Sequence, residues 1–586
     1  MNAPSPLRSR WPVVAAAVLT LVAVARIVST YHDFNQAYDE PAHIACGMEW
    51  LDKGTFKMEP QHPPLPRVAV ALGPYLSGLH LPEVRLIDPT YSTDYDRYAA
   101  GNEILYARGQ YARNLTLARL GTLPFLLLAV FVTFVWTRSL LGDWAAVLAV
   151  FLVTTLPTVL GYCTLAYVDP ALLAFLPAAL LAWVRWLEAP GWGRSAVLGA
   201  ALAGALLSNT PTLVFLPPCA LAILVCKWWA GRDGSAVKVS QSMRLILREW
   251  RRPALVAFFA MCFVLWAGYR FSTQSVDEMF EHPSAKIQKS GLPSPAKFLA
   301  LKVVALNPRL PAPEFFLGIH NMFGENTKLY PAYVFGKVKR GGWWYFYFVM
   351  LLFKTPPAFL LLAILGAGWA LARFWNGRDW QTAAPAVSVA AVLFIGMLIK
   401  VNVGIRHVLF LYPLFAILAT IACCNIWEKR SQWPRAVPAV LGAILLWQAA
   451  STVWMHPNYL TYTSVFAGSS PDKNLVLDAD FDAGQNILQL SRVLAERKVQ
   501  SLHLRLYTSA DLAQLGLPPY ETLAPNQRTT GWIAISLHNL RTGDGPWNEA
   551  DRNSYAWLNA YTPVQDVNKT IRLFYIPENA SGPAAR

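Results

Sequence analysis

Asp39 and Glu40 stand side by side in Ala37-Tyr38-Asp39-Glu40-Pro41-Ala42-His43, just after the first long apolar run of the chain. A well-placed carboxylate can take a proton from a hydroxyl, the work of a general base. The same pair also suits the start of a helix. Proline belongs in a first turn, where its missing N–H costs nothing, and acids there interact favourably with the helix N-terminus. Residue types alone leave capping and catalysis level. A second cluster follows in Glu59-Pro60-Gln61-His62-Pro63-Pro64-Leu65. Consecutive prolines predict a stiff, extended segment, either a rigid surface loop or a brace that holds a polar side chain near Asp39.

Cations come much later. Gly336-Lys337-Val338-Lys339-Arg340-Gly341-Gly342-Trp343-Trp344-Tyr345 leads into an apolar run that contains Phe353-Lys354-Thr355-Pro356-Pro357. Tryptophan and tyrosine at the entrance of such a run mark a membrane interface, and the nearby lysines would meet headgroups. Lys354 lies about eleven residues into the run, roughly mid-bilayer if a helix starts at Gly342. A lysine there is costly and needs a partner; a lipid-borne phosphate would be one. Arg406, in Asn402-Val403-Gly404-Ile405-Arg406-His407, has the planar fork that suits phosphate, or it is an interfacial arginine. Asp169, before Pro170, is a further acid whose simpler role is an N-cap. Asp39, Glu40, His43 and His62 are also the residue types of a divalent-metal site, but nothing in their spacing requires convergence, and the metal-free reading ranks first.

These residues must be held by a membrane protein. Of 586 residues, 55% are hydrophobic and only 15% charged, against about a quarter charged in soluble domains. The apolar residues form runs long enough to cross a bilayer, where helices are the expected form because every backbone group must pair within its own segment. Eleven spans are expected near 11–30, 117–137, 143–160, 170–187, 195–208, 211–226, 254–270, 343–373, 382–400, 407–426 and 436–455. The net charge of +15 is gathered in loops, notably 227–253, which sets one orientation by the positive-inside rule and leaves no case for nucleic acid. On that orientation 31–116, 271–342 and 456–586 share the outer side. The last segment alternates strand-like and helical stretches, including Asn474 to Asp478, Ala483 to Lys498, Ser501 to Tyr507, Trp532 to Leu537 and Ile571 to Ile576. It reads as a small α/β domain. The seven cysteines lie mostly in or beside the spans and contain no C-x-x-C pair, so they read as packing residues.

The acid pair after the first span, His-Pro-Pro-Leu, Gly-Gly-Trp-Trp-Tyr before Lys-Thr-Pro, Gly-Ile-Arg-His, His456-Pro457-Asn458-Tyr459-Leu460 and Asp478-Ala479-Asp480-Phe481-Asp482-Ala483-Gly484-Gln485 occur in this order. The ordered set resembles bacterial dolichyl-phosphate-mannose/protein-mannosyltransferase-like proteins of glycosyltransferase family 39, through nearly the whole chain. The resemblance implies a GT-C membrane fold over 1–455 with an extracytoplasmic α/β domain over 456–586 in the bacterial inner membrane. It also implies a polyprenyl-phosphate sugar donor, an outer-face site, one inverting displacement without a nucleotide sugar, and no firm need of a metal. By position, Asp39 would be the catalytic base. The chain departs from relatives at Gln61, where an acid is common, at Ser208-Asn209-Thr210, where a lysine is common, and at Ala483, where a tryptophan is common.

With such a donor the protein must deprotonate an acceptor hydroxyl and neutralise a departing phosphate. Asp39, with Glu40 beside it, fits the first task. Arg406 fits the second, followed by Lys354, Lys337 and Lys339, with His62 and Tyr345 as further phosphate contacts and His43, Glu59, Asp169 and His407 in support. No cofactor is required, and the acceptor would be a protein, a lipid or a glycan. The main alternative is a secondary transporter of a sugar or lipid-linked substrate, since transporters bind substrate near broken helices at mid-membrane.

Overall fold

The computed structural model describes residues 10–84, 96–231, 236–280, 283–289, 294–327, 331–402, 404–432, 434–468, 470–474, 480–543 and 551–578. Among these, nine helices are long and apolar enough to cross a membrane: Trp11–Val28, Tyr111–Leu141, Asp169–Glu188, Pro211–Ala230, Glu249–Gly268, Pro357–Gly377, Trp380–Leu398, Leu411–Glu428 and Ala436–Trp454. A tenth is the bent pair Asp143–Thr154 and Pro157–Cys163, which meet at 66°. The region expected to supply an eleventh, 195–208, forms the helix Trp192–Ser208 of 17 residues, packed against Asp169–Glu188 and Ala236–Gly268.

The bend has a local cause. Leu156 is extended before Pro157, as the residue before a proline is driven to be. Carbonyls freed in the preceding turn are met from the span Ala436–Trp454: Gln448 Nε2 donates to Leu152 O at 2.9 Å and Thr452 Oγ1 to Thr155 O at 2.5 Å. Irregular backbone at membrane depth persists because neighbouring helices supply such partners. Tight packing elsewhere uses a small residue. A Cβ on Gly366 would lie 1.7 Å from Leu418 O, so the helices Pro357–Gly377 and Leu411–Glu428 can approach closely only at glycine. Outward faces stay apolar, with Leu21, Phe131, Phe259, Leu361, Phe394 and Leu446 exposed, as a lipid-facing surface requires.

Three expectations need correction. The run 343–373 is two helices, Phe346–Lys354 and Pro357–Gly377, broken at Thr355-Pro356. Lys354 therefore ends a nine-residue helix and does not sit midway along a continuous one. The basic stretch 227–253 is mostly helical, because one helix runs to Ala230 and the next, Ala236–Gly268, takes Pro253 within it. The prolines at 63 and 64 start a helix instead of a surface loop: Pro63 is extended at the cap and Pro64 opens Pro64–Leu76.

After the last span the chain returns to the helical body before its sheet begins. Ser464 N–H donates to Phe353 O at 2.7 Å, and Arg26 Nε donates to Tyr459 Oη at 3.1 Å. A five-stranded sheet follows, in the order Tyr520–Thr522, Leu502–Arg505, Gly531–Ser536, Ile571–Ile576, Gln565–Val567. The first three strands are parallel and the last two antiparallel, with Ile533 opposite Phe574 in register. The helix Ile487–Glu496 buries Ile487, Leu490 and Leu494, the stripe expected from its periodicity. Leu490 and Leu494 pack with Leu502, Leu504, Ala534 and Leu573. Of the expected strand Asn474 to Asp478, Asn474 ends the short helix Pro471–Asn474 and 475–479 lie outside the described residues.

Candidate active site

Glu40 opens the helix Glu40–Lys53, and Asp39 occupies its N-cap without a side-chain capping bond. The two carboxylates face different surroundings. Glu40 is fully buried and forms a two-pronged ion pair with Arg119, Oε1 to Nε and Oε2 to the terminal nitrogen, both at 2.9 Å. It also accepts from Ala37 N at 2.6 Å and Ala166 N at 2.7 Å. Each carboxylate oxygen is thus committed to internal partners, so Glu40 holds the segment after the first span against the span that begins at Tyr111. Such a saturated buried pair is stable only as a unit.

Asp39 remains partly open. One carboxylate oxygen accepts from the Tyr98 hydroxyl at 3.3 Å, and the other lies 3.2 Å from the Arg406 guanidinium. Their side chains are 27% and 18% exposed, so a ligand can reach both. The residues meet across 367 positions of sequence. Arg406 also lines a cleft of about 220 Å³ with Gln61, His62, Asn209, Thr210, Phe215, Met322, Tyr347, Val401 and His407. The cleft is apolar over most of its wall, and Arg406 joins it to Asp39.

Three histidines frame this region in the neutral form. Burial, reinforced by Arg67, holds His43 well below its ordinary value. For His62 burial outweighs Glu59, and the pKa falls to about 4; for His407 burial and Arg406 bring it to about 3. His62 Nδ1 is buried and lacks a hydrogen-bond partner among the described residues, as does Asp169 Oδ2. Asp169 lies within electrostatic reach of Arg406, Asp39 and Asp480.

Glu59 belongs to a separate cluster. It pairs closely with Arg67, accepts from Gln61 Nε2 at 2.8 Å and lies 3.5 Å from Arg97. Burial works to raise its pKa, but Arg67, His62 and Arg97 together pull it well below the carboxylate range. Arg67 Nε also donates to His43 Nδ1 at 3.3 Å, so Arg67 links Glu59 to His43 on the helix that follows Asp39, and the His62 ring meets the His43 ring edge-on at 5.9 Å. His43 is spent on Arg67 and the carboxylate of Glu40 on Arg119. The four residues weighed for a metal therefore do not converge, and among the described residues no group of three His, Cys, Asp or Glu does.

The other cations lie elsewhere. Lys354 is 1% exposed and donates to Leu460 O and Asp480 O, both at 2.7 Å; its partners are backbone carbonyls, and it does not line the cleft. Lys337 and Lys339 are exposed on the hairpin Pro331–Val334/Lys337–Arg340, where Lys339 lies 4.9 Å over the Trp343 ring. Tyr345 is packed on Trp343 and Trp344, while Tyr347 lines the cleft.

Arg119, Arg67, Tyr98 and Asp480 escaped the sequence reading. Arg119 carried a signal, since an arginine inside an apolar span calls for a partner. Asp480 lay within a quoted motif without a role, and Tyr98 carried no signal.

The fold and site define a polytopic helical membrane protein with a carboxylate–guanidinium pair at one end of a largely apolar cleft. Residues 112–237 match the family described as dolichyl-phosphate-mannose-protein mannosyltransferase. A search of curated protein sequences finds no match. Among solved structures, ArnT from Cupriavidus metallidurans bound to undecaprenyl phosphate is 12% identical, with a TM-score of 0.44 over 97% of this chain and 99% of that one. The Archaeoglobus fulgidus oligosaccharyltransferase AglB, in complex with an inhibitory peptide and a dolichol-phosphate, is 13% identical, with a TM-score of 0.42 over 92% of this chain and 70% of that one.

Proposed function

We propose that this protein transfers a sugar from a polyprenyl-phosphate donor to an acceptor hydroxyl on the outer face of the membrane. Asp39 acts as general base and Arg406 as the cation that receives the phosphate. The observation that carries the reading is the shared guanidinium: Arg406 contacts Asp39 at 3.2 Å and lines the apolar cleft. A lipid-linked sugar has the complementary form, an apolar tail, an anionic joint and a reactive anomeric carbon beyond it. The family match supports the same donor class.

In the reaction the acceptor oxygen attacks the anomeric carbon as the bond from that carbon to the phosphate oxygen breaks, so the configuration inverts. The acceptor proton passes to Asp39, a base held by Tyr98 and Arg406. The departing phosphate keeps the bonding electrons, and Arg406 stabilises its charge from a preorganised position. His62 and His407 line the cleft beside Arg406 and offer N–H groups to the phosphate. The cluster of Glu59, Arg67 and His43 holds the helix start that presents Asp39.

The test incubates purified protein with a panel of polyprenyl-phosphate sugars and follows release of the carrier phosphate by mass spectrometry, for wild type and Asp39→Asn. Sugar-dependent release that collapses in the variant supports the reading. Undiminished release in Asp39→Asn removes the base assignment, and substrate movement across vesicles without release favours a transporter.

A further inference from the structure

The backbone just before each member of the Asp39–Arg406 pair is tied to one short turn near the start of the C-terminal region. Tyr38 N–H, one residue before Asp39, donates to Ala483 O at 2.8 Å. Ile405 N–H, one residue before Arg406, donates to Asp480 Oδ2 at 2.7 Å. The turn is itself braced: Gln485 accepts from Ala483 N at 2.8 Å and donates to Phe481 O at 3.2 Å. Asn35 adds a second tie, donating to Gly484 O and accepting from Ile487 N, both at 2.7 Å. The Tyr38 ring stacks on Tyr507 at 4.6 Å, and Tyr507 stacks on His538 at 3.9 Å.

Asp480 is held from three sides. The Tyr162 hydroxyl donates to its second carboxylate oxygen, and Lys354 Nζ donates to its carbonyl at 2.7 Å. Gly404 has φ +86°, and a Cβ there would lie 2.3 Å from Asp480 Oδ2. Only glycine combines that backbone angle with so close a carboxylate. Asp480 is 1% exposed and does not line the cleft, so it reaches the ligand only through the Ile405-Arg406 backbone.

We infer that the turn Asp480–Gly484 sets the separation of Asp39 and Arg406, and that Asp480 is a positioning residue for the Arg406 guanidinium. This rests on the proposed glycosyl transfer for its catalytic consequence, but its geometric content is independent of it. A charged group aimed at a transition state is sensitive to placement, and a displacement of about 1 Å can cost about 100-fold in rate.

The experiment compares full-length wild type with Asp480→Ala, Asp480→Asn, Gly404→Ala and Tyr162→Phe in detergent. It reads binding of sugar-free polyprenyl phosphate, carrier release resolved into kcat and donor KM, and thermal melting. Asparagine keeps an acceptor for Ile405 N–H and alanine does not. Asp480→Ala is expected to weaken polyprenyl-phosphate binding by about tenfold and kcat by about 100-fold per folded molecule. Asp480→Asn should recover most of both, and Tyr162→Phe should move them least. Gly404→Ala approaches the same contact from the other side and should reproduce the alanine defect, which covers the case in which Asp480→Ala does not fold. Phosphate binding and kcat within twofold of wild type in both Asp480→Ala and Gly404→Ala overturn the inference, as does an asparagine variant no better than alanine. If wild type releases no carrier phosphate, the transfer reading fails, and the phosphate-binding series still decides the positioning claim.

Discussion

Asp39 and Glu40 are consecutive residues whose carboxylates have opposite fates. Glu40 is sealed against Arg119 by two contacts of 2.9 Å, whereas Asp39 meets Arg406 at 3.2 Å beside a cleft. The helix start at Glu40 turns one inward and leaves the other at the site. On the proposed reading function falls to Asp39 and stability to Glu40, and substitutions can separate them.

Asp39→Asn keeps the shape and removes the proposed base. Carrier release should fall by about 100- to 10,000-fold, the range for loss of a positioned general base. Binding of sugar-free polyprenyl phosphate should hold or tighten, because Arg406 loses a competing anion. Calorimetric titration beside a turnover assay checks both; a variant that loses phosphate binding and rate together would assign Asp39 to binding.

Arg406→Lys keeps the charge and loses the planar fork that can bridge a carboxylate and a phosphate. One lost charge-assisted hydrogen bond contributes about 1.5 kcal/mol, so donor affinity should drop by about tenfold, with a larger loss for Arg406→Ala. Equal affinity in the lysine and wild-type proteins would show that a point charge suffices.

Glu40→Ala should destabilise the protein by about 3–5 kcal/mol, because it strands the buried Arg119 charge. The double variant Glu40→Ala/Arg119→Leu should regain part of that loss, measured by thermal melting in one detergent. A Glu40→Ala protein with wild-type melting and no transfer would move Glu40 into the chemistry.

Asp482 predicts a pH signature. Burial pushes its carboxyl up from 3.8 to about 7, against hydrogen bonds from His538 N and Gly484 N. A carboxyl whose folded value lies above its unfolded value binds more protons when folded, so its contribution falls as pH rises between those values. Asp482→Asn removes that dependence. The melting temperature of the variant minus that of wild type should therefore climb from about pH 4 to about pH 7 and then level off. A difference that is flat across this range would contradict the raised value.

Much of the protein was legible from its sequence. The apolar runs located most of the spans, because a bilayer tolerates only internally paired backbone. The stripe of Ile487, Leu490 and Leu494 located a helix that packs on the sheet. Residue chemistry singled out Asp39 and Glu40 as cap or base, Arg406 as a phosphate fork, and Lys354 as a charge in need of a partner. Which partner each would take was not legible. A lysine in an apolar run is satisfied equally by a phosphate or by two carbonyls, and only the break at Thr355-Pro356 and the approach of Leu460 and Asp480 decide for carbonyls. Sequence adjacency made Asp39 and Glu40 look equivalent, while the placement of Arg119 and Arg406 made them different. Local sequence sets helix starts, prolines and burial preference through interactions a few residues long. The meeting of residue 39 with residue 406, under a turn at 480–484, depends on how the spans pack, and the tertiary structure alone fixed it.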